Sequence, residues 1–188
     1  MNKPSLLIVC TALACLMMTV AQAAPRLSDS DYIARMAQMH AGEHPTANSA
    51  STAKPAMPVI SRTVQYATVD GKPVRGYLAQ PKQAHGRLPG IIVIHEWWGL
   101  NDNIRAMADR LAGEGYQALA VDLYGGHAAA TAAEAQKLMR GVLADTAQAE
   151  DNLRQAYEYL AGKLHAPRIG VIGWCFGGSW SLQTALMF

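Results

Sequence analysis

The chain has 188 residues, about half of them apolar and 16% charged, with a formal net charge of +2. That length suits one domain of ordinary size around a packed core. No run of Lys or Arg gathers the charge, which argues against nucleic acid or an anionic membrane surface as a partner.

Residues 1–3 make a short basic start, residues 6–20 are almost entirely apolar, and Ala21-Gln22-Ala23 has the small-x-small pattern that a signal peptidase cuts. The reading is a signal peptide over 1–23 and a periplasmic or secreted mature chain. No stable membrane anchor is expected after cleavage, because a span needs about 20 apolar residues and this run is shorter. Cys10 and Cys15 leave with the signal, so Cys175 is the mature chain's single cysteine and no intramolecular disulfide can form. In an oxidising compartment an unpaired thiol is either buried and inert or retained for its chemistry.

Residues 24–58, rich in Ala, Ser, Thr and Pro, read as a linker holding a short helix over 28–40, capped by Ser28 or Ser30. Ile33, Met36 and Ala37 would share one face of that helix. His40 and His44 stand at helical metal-ligand spacing, but Gly42 interrupts the helix and no third ligand is nearby. Both therefore read as exposed, and neither a metal nor another cofactor is expected.

From residue 59 the pattern changes to short apolar strands alternating with amphipathic helices, forming one domain over 59–188. Strands over 62–69 and 73–79 flank Asp70-Gly71, the mark of a hairpin. Residues 91–94 form a β-branched run suited to burial on both faces. Ile104, Met107, Ala108 and Leu111 recur at helical spacing up to Gly113 and Gly115, and 118–121 is the next strand. Leu138, Met139, Val142 and Leu143 mark one helical stripe, and Leu153, Ala156, Tyr157 and Leu160 another. Residues 169–172 complete the series, with a helix starting near Gly177. This alternation predicts an α/β fold, a largely parallel sheet with helices on both faces.

Gly173-Trp174-Cys175-Phe176-Gly177-Gly178 follows a buried strand and opens a helix, the setting in which Gly-x-Ser-x-Gly forms a nucleophile elbow, here with Cys in place of Ser. So tight a turn demands residues without bulky side chains two before and two after the nucleophile, which Gly173 and Gly177 supply, and Gly178 extends the glycine frame. His95-Glu96-Trp97-Trp98-Gly99-Leu100-Asn101 leaves the 91–94 strand beside the elbow. Its Trp97 N–H can join the Phe176 N–H as the two donors that a tetrahedral oxyanion requires. Trp98 and Trp97 read either as core aromatics or as pocket lining.

His-Glu-Trp-Trp-Gly-Leu-Asn, then Ala120-Val121-Asp122-Leu123-Tyr124-Gly125, then Gly-Trp-Cys-Phe-Gly-Gly, in this order and spacing, resemble the dienelactone hydrolase family of α/β-hydrolases. The resemblance spans roughly residues 59–188. It implies an α/β-hydrolase fold whose Cys-Asp-His triad hydrolyses a small-molecule ester or lactone, carboxymethylenebutenolide being the best-known substrate. It also implies that Glu96 manages the proton of the Cys175 thiol. The family's type enzyme carries an arginine for the substrate carboxylate shortly after Asp-Leu-Tyr, where this chain has Gly125-Gly126-His127. His127 becomes a candidate substitute in a pocket with Trp98 and Tyr124.

In α/β-hydrolases the acid and the histidine follow the nucleophile in the chain. The thirteen residues after Cys175 contain neither Asp nor His. The expectation is a C-terminally truncated sequence, with the last strands and the triad Asp and His lying beyond Phe188, and a piece that is inactive alone. A thioesterase-type thiol hydrolase and a catalytically inactive binding or structural protein are the alternatives.

Overall fold

The computed structural model describes residues 28–188; residues 1–23, read above as a signal peptide, with Cys10 and Cys15, lie outside the described residues. Helix α1 (Asp29–Met39) starts at Ser28, whose hydroxyl accepts the N–H of Asp31, and α2 (Ser49–Thr52) is closed by a capping box on Asn48. Strands β1 (Val59–Val69) and β2 (Lys72–Pro81) form the hairpin. Its two turn residues, Asp70 and Gly71, have φ of 48° and 71°, the doubly left-handed turn whose twist matches that of the strands.

Next come β3 (Gly90–Ile94), α3 (Asp102–Gly113), β4 (Gln117–Ala120), α4 (Ala132–Ala144) and α5 (Thr146–Glu158). One wider helical turn (Tyr159–Lys163) extends α5, and β5 (Ile169–Gly173) and α6 (Phe176–Met187) follow. Asp145 separates α4 from α5 and caps the second with its carboxylate.

The strand order is β1-β2-β4-β3-β5. β3 pairs in parallel with β4 and with β5, while β2 pairs antiparallel with β1 and β4, so the sheet is mixed where the alternation predicted a largely parallel one. The hairpin causes the difference, because it adds its second strand, not its first, to the edge of β4.

Strand alternation sends successive side chains to opposite faces. Val93, Ala79, Ala118 and Ala120 meet Ile104, Ala108 and Ala112 of α3 on one face. Ile92, Ile94, Leu78 and Leu119 meet Met139, Leu153, Phe176 and Trp180 on the other. Small alanines on the first face let α3 approach closely, and the branched residues of the second build the larger core. Each buried Leu or Ile there contributes about 1.5–3 kcal/mol relative to exposure.

The 28–58 stretch, read as a linker from its composition, is fastened to the domain at both ends. Ile33 is buried in the larger core, with Met36 and Ala37 packed beside it. The Arg110 guanidinium donates to the carbonyl of Ala50 at 2.9 Å. No helix among the described residues is long and apolar enough to cross a membrane.

Candidate active site

Cys175 sits at the junction of β5 and α6 with φ 52° and ψ −117°, a conformation costing of order 1–3 kcal/mol for a residue with a Cβ. The surrounding backbone enforces it. A Cβ on Gly173 would stand 2.3 Å from the carbonyl oxygen of Gly177, and one on Gly177 would stand 2.4 Å from that of Ile94. A Cβ on Gly178 would come no closer than 3.6 Å to the carbonyl of Gly173, an ordinary contact, so the elbow's geometry rests on two glycines and not three.

The thiol is free and open to solvent. The N–H groups of Gly177 and Gly178 bond the carbonyls of Trp174 and Cys175, leaving the N–H of Phe176 for the sulfur. That N–H and the N–H of Trp97 both favour the sulfur's anion, so the two groups expected as oxyanion donors act on the same atom, the Cys175 sulfur. Partial desolvation by the surrounding protein, together with the nearby Glu96 carboxylate, outweighs them and raises the thiol's pKa. Glu96 is half-buried, and that burial also pushes its own pKa up.

His95 is fully buried with both ring nitrogens engaged: Nδ1 lies 2.6 Å from the carbonyl of Glu96, and Nε2 accepts the N–H of Leu123 at 3.2 Å. Burial depresses its pKa and keeps it neutral. It braces the loop that leaves β3, residues 95–101, which carries the expected oxyanion donor Trp97 and is hereafter the oxyanion loop, against the loop after β4. The Asp122 carboxylate accepts the N–H groups of Tyr124 and Gly126 and so shapes its own loop. Asp122's backbone is pinned by Tyr66 and Asn152: the Tyr66 hydroxyl accepts its N–H at 3.1 Å, and the Asn152 amide donates to its carbonyl at 2.9 Å.

Under the elbow, Phe176 is buried against His95, Tyr124 and Trp180. The Tyr124 hydroxyl is buried without a partner among the described residues, and burial and the nearby Cys175 raise its pKa, so it stays a donor. Trp97 and Trp98 are both buried, and Trp98 also lines a cavity of about 250 Å³ with Glu96 and Trp174. His127 is exposed and faces a separate cleft with Arg75 and Arg105, away from the cavity that Glu96 shares. A cavity of about 460 Å³ lies between the hairpin, α4 and α5; Tyr124 lines it and Cys175 does not.

Two residues outside the expected set join the site. The ring of His40 lies 5.4 Å from that of Trp97, and its Nδ1 is 2.7 Å from the Glu43 carboxylate. No local signal marks them, since a contact between a low-complexity stretch and a distant loop leaves no periodicity in either.

The model of the dienelactone hydrolase family matches residues 74–188, which include the oxyanion loop, the Asp122 loop and the elbow. The chain belongs to the dienelactone hydrolase family. A protein named usf from Aquifex pyrophilus is 39% identical over 125 residues, covering 63% of this chain and 53% of its own length. An Aquifex aeolicus protein named "Putative carboxymethylenebutenolidase" is 35% identical over 125 residues, with the same coverage. A solved structure named m3DLH matches with a TM-score of 0.62 at 35% identity, over 68% of this chain and 54% of its own. The chain thus spans about half the length of the relatives it matches.

Proposed function

We propose that the whole protein hydrolyses a small-molecule ester or lactone through an acyl-cysteine intermediate on Cys175. The observation that carries this reading is the convergence of the Phe176 and Trp97 N–H groups on a thiol held at a strained elbow. The Cys175 sulfur attacks the carbonyl carbon, forming the C–S bond while the carbonyl oxygen becomes an oxyanion held by those two donors. Collapse breaks the bond to the leaving alkoxide, which takes up the proton the thiol gave away. Water then attacks the thioester carbon, the C–S bond breaks, the acyl group leaves as the carboxylic acid, and the sulfur takes up a proton from the water to return the thiol. One such donor is worth roughly 10²–10³ in rate.

The general base is assigned to a histidine, with its orienting aspartate, in sequence following residue 188. Support comes from His95, whose two nitrogens are both occupied, and from His127, which faces another cleft. Glu96 holds the resting thiol protonated, which protects it from oxidation outside the cytoplasm. Residues 1–23 are proposed to direct export; an intact mass beginning near Ala24 in the exported fraction supports this, and one retaining Met1 contradicts it.

The test of the hydrolase reading is acid-quenched mass spectrometry of the natural full-length protein mixed with p-nitrophenyl acetate. An acetyl adduct on the peptide containing Cys175 is expected. An adduct on any other residue, with Cys175 unmodified, would overturn the assignment.

A further inference from the structure

Residues 28–58 lie outside the stretch that the family model matches, yet they cross directly over the site. Helix α1 packs on α4, the chain passes across the oxyanion loop, and α2 packs on α3. Each stage of the crossing is tied down. The His40 ring rests against Trp97, whose N–H is one of the two oxyanion donors. His44 Nδ1 meets the carbonyl of Ala130 at 2.7 Å, and the Asn103 amide donates to the carbonyl of Thr46 at 2.9 Å. Beyond α2, Pro55 and Ala56 lie so close to Gly113 that a Cβ there would stand 2.8 Å from both. The segment is a strap running from one side of the active-site end of the sheet to the other.

The strap closes one wall of the 250 Å³ cavity, which Cys175 itself does not line but which reaches its neighbour Trp174 and the Glu96 carboxylate that acts on the thiol. Glu43 and His44 come from the strap, Glu96 and Trp98 from the oxyanion loop, and Trp174 from the residue just before Cys175. Two carboxylates therefore line this cavity, and no lysine or arginine does. His44 also lines the cavity and His40 Nδ1 lies 2.7 Å from the Glu43 carboxylate; with both imidazoles neutral the two carboxylates leave a negative potential that penalises an anion entering beside Glu96, whereas the indoles of Trp98 and Trp174 offer apolar walls to an uncharged chain.

We propose that the 28–58 strap is a wall of the substrate pocket, and that its Glu43, acting with Glu96, makes the site discriminate against esters carrying a carboxylate on the acyl chain. The inference rests on the hydrolase reading and concerns which acyl groups that reaction accepts. Glu43 is a specificity residue and takes no part in bond making. It comes from outside the family-matched region, so acyl preference would be set by an element added to the family's catalytic frame.

The test uses two esters of equal chain length, p-nitrophenyl hexanoate and mono-p-nitrophenyl adipate, with the natural full-length protein, Glu43→Gln, Glu43→Lys and Cys175→Ala. The readout is the ratio of kcat/KM for hexanoate to that for adipate, an internal comparison that loss of folded protein does not move. The wild type is expected to favour hexanoate by tenfold or more. The ratio should fall about threefold in Glu43→Gln and further in Glu43→Lys, the size expected for one partly screened charge, and the changes should shrink in high salt. Cys175-dependent turnover with a ratio unchanged within about twofold in both Glu43 variants would overturn the inference and leave the hydrolase reading standing. Absence of Cys175-dependent turnover of either ester would overturn both.

Discussion

Gly177 of the elbow lies directly against His95 of the oxyanion loop: a Cβ on the glycine would stand 2.5 Å from the carbonyl oxygen of His95. The turn that holds Cys175 and the loop that bears Trp97, the proposed second oxyanion donor, are therefore one rigid unit, with no room for a methyl group between them. Rigidity of this kind is what an oxyanion hole needs, because donors fixed in advance spend nothing on reorganising during the reaction.

That contact separates the three glycines. Gly177→Ala and Gly173→Ala force backbone apart and should each cost more than about 2 kcal/mol, with loss of activity. Gly178→Ala lies in a helix with ordinary space around it, so it should leave stability within about 1 kcal/mol or raise it. Thermal unfolding of the three variants checks this; equal destabilisation by all three would contradict it.

Glu96→Gln should lower the pKa of the Cys175 thiol. A carboxylate beside a thiol opposes a second negative charge, and its removal leaves the N–H groups of Phe176 and Trp97 less opposed in favouring the thiolate. The rate of iodoacetamide alkylation against pH should shift toward lower pH in the variant. A shift toward higher pH, or none, would remove Glu96 from its proposed role.

Stability should depend on pH through His95. Its folded pKa is depressed by burial below the ordinary value of 6.5, so on acidification the unfolded chain takes up a proton that the folded protein refuses. The stabilisation is complete above about pH 6.5 and is lost as the pH falls from there toward the folded pKa, by at most about 1.4 kcal/mol per pH unit. Denaturant unfolding between pH 7.5 and 5 should show a steeper loss in wild type than in His95→Gln. Parallel slopes would mean that His95 is protonated in the folded protein.

Much of this was legible beforehand. The Asp70-Gly71 hairpin, the strands around Ile92 and Leu119 and the steric need at Gly173 and Gly177 follow from local patterns, and local patterns are where hydrogen-bond geometry leaves its trace. The order of the strands was less so, because side-chain alternation in β2 says which face each residue takes but not that β2 pairs antiparallel with β4. The helix over 28–40 could be seen in its Ser28 cap and its Ile33, Met36 and Ala37 face. Its docking could not, because the contact of His40 with Trp97 joins positions far apart in the chain. For a related reason the place of His127 in the chain did not reveal that its loop faces the cleft with Arg75 and Arg105.

A protein ending at Phe188 should be soluble only poorly and hydrolyse esters slowly. Among the described residues β5 pairs with β3 alone, and Leu182 and Leu186 of α6 are 66% and 80% exposed, an unpaired edge beside an apolar helix face. Size-exclusion chromatography should find aggregates at micromolar concentration. A monodisperse monomer would show that this edge is covered by something within the same residues.

The most direct measurement is steady-state hydrolysis of p-nitrophenyl acetate by the natural full-length protein, Cys175→Ala and Cys175→Ser, each confirmed as folded. The account predicts that Cys175→Ala loses at least about 10³-fold in kcat/KM, keeping only the residual rate that binding and the two oxyanion donors supply. Turnover by Cys175→Ala within about tenfold of wild type would contradict it.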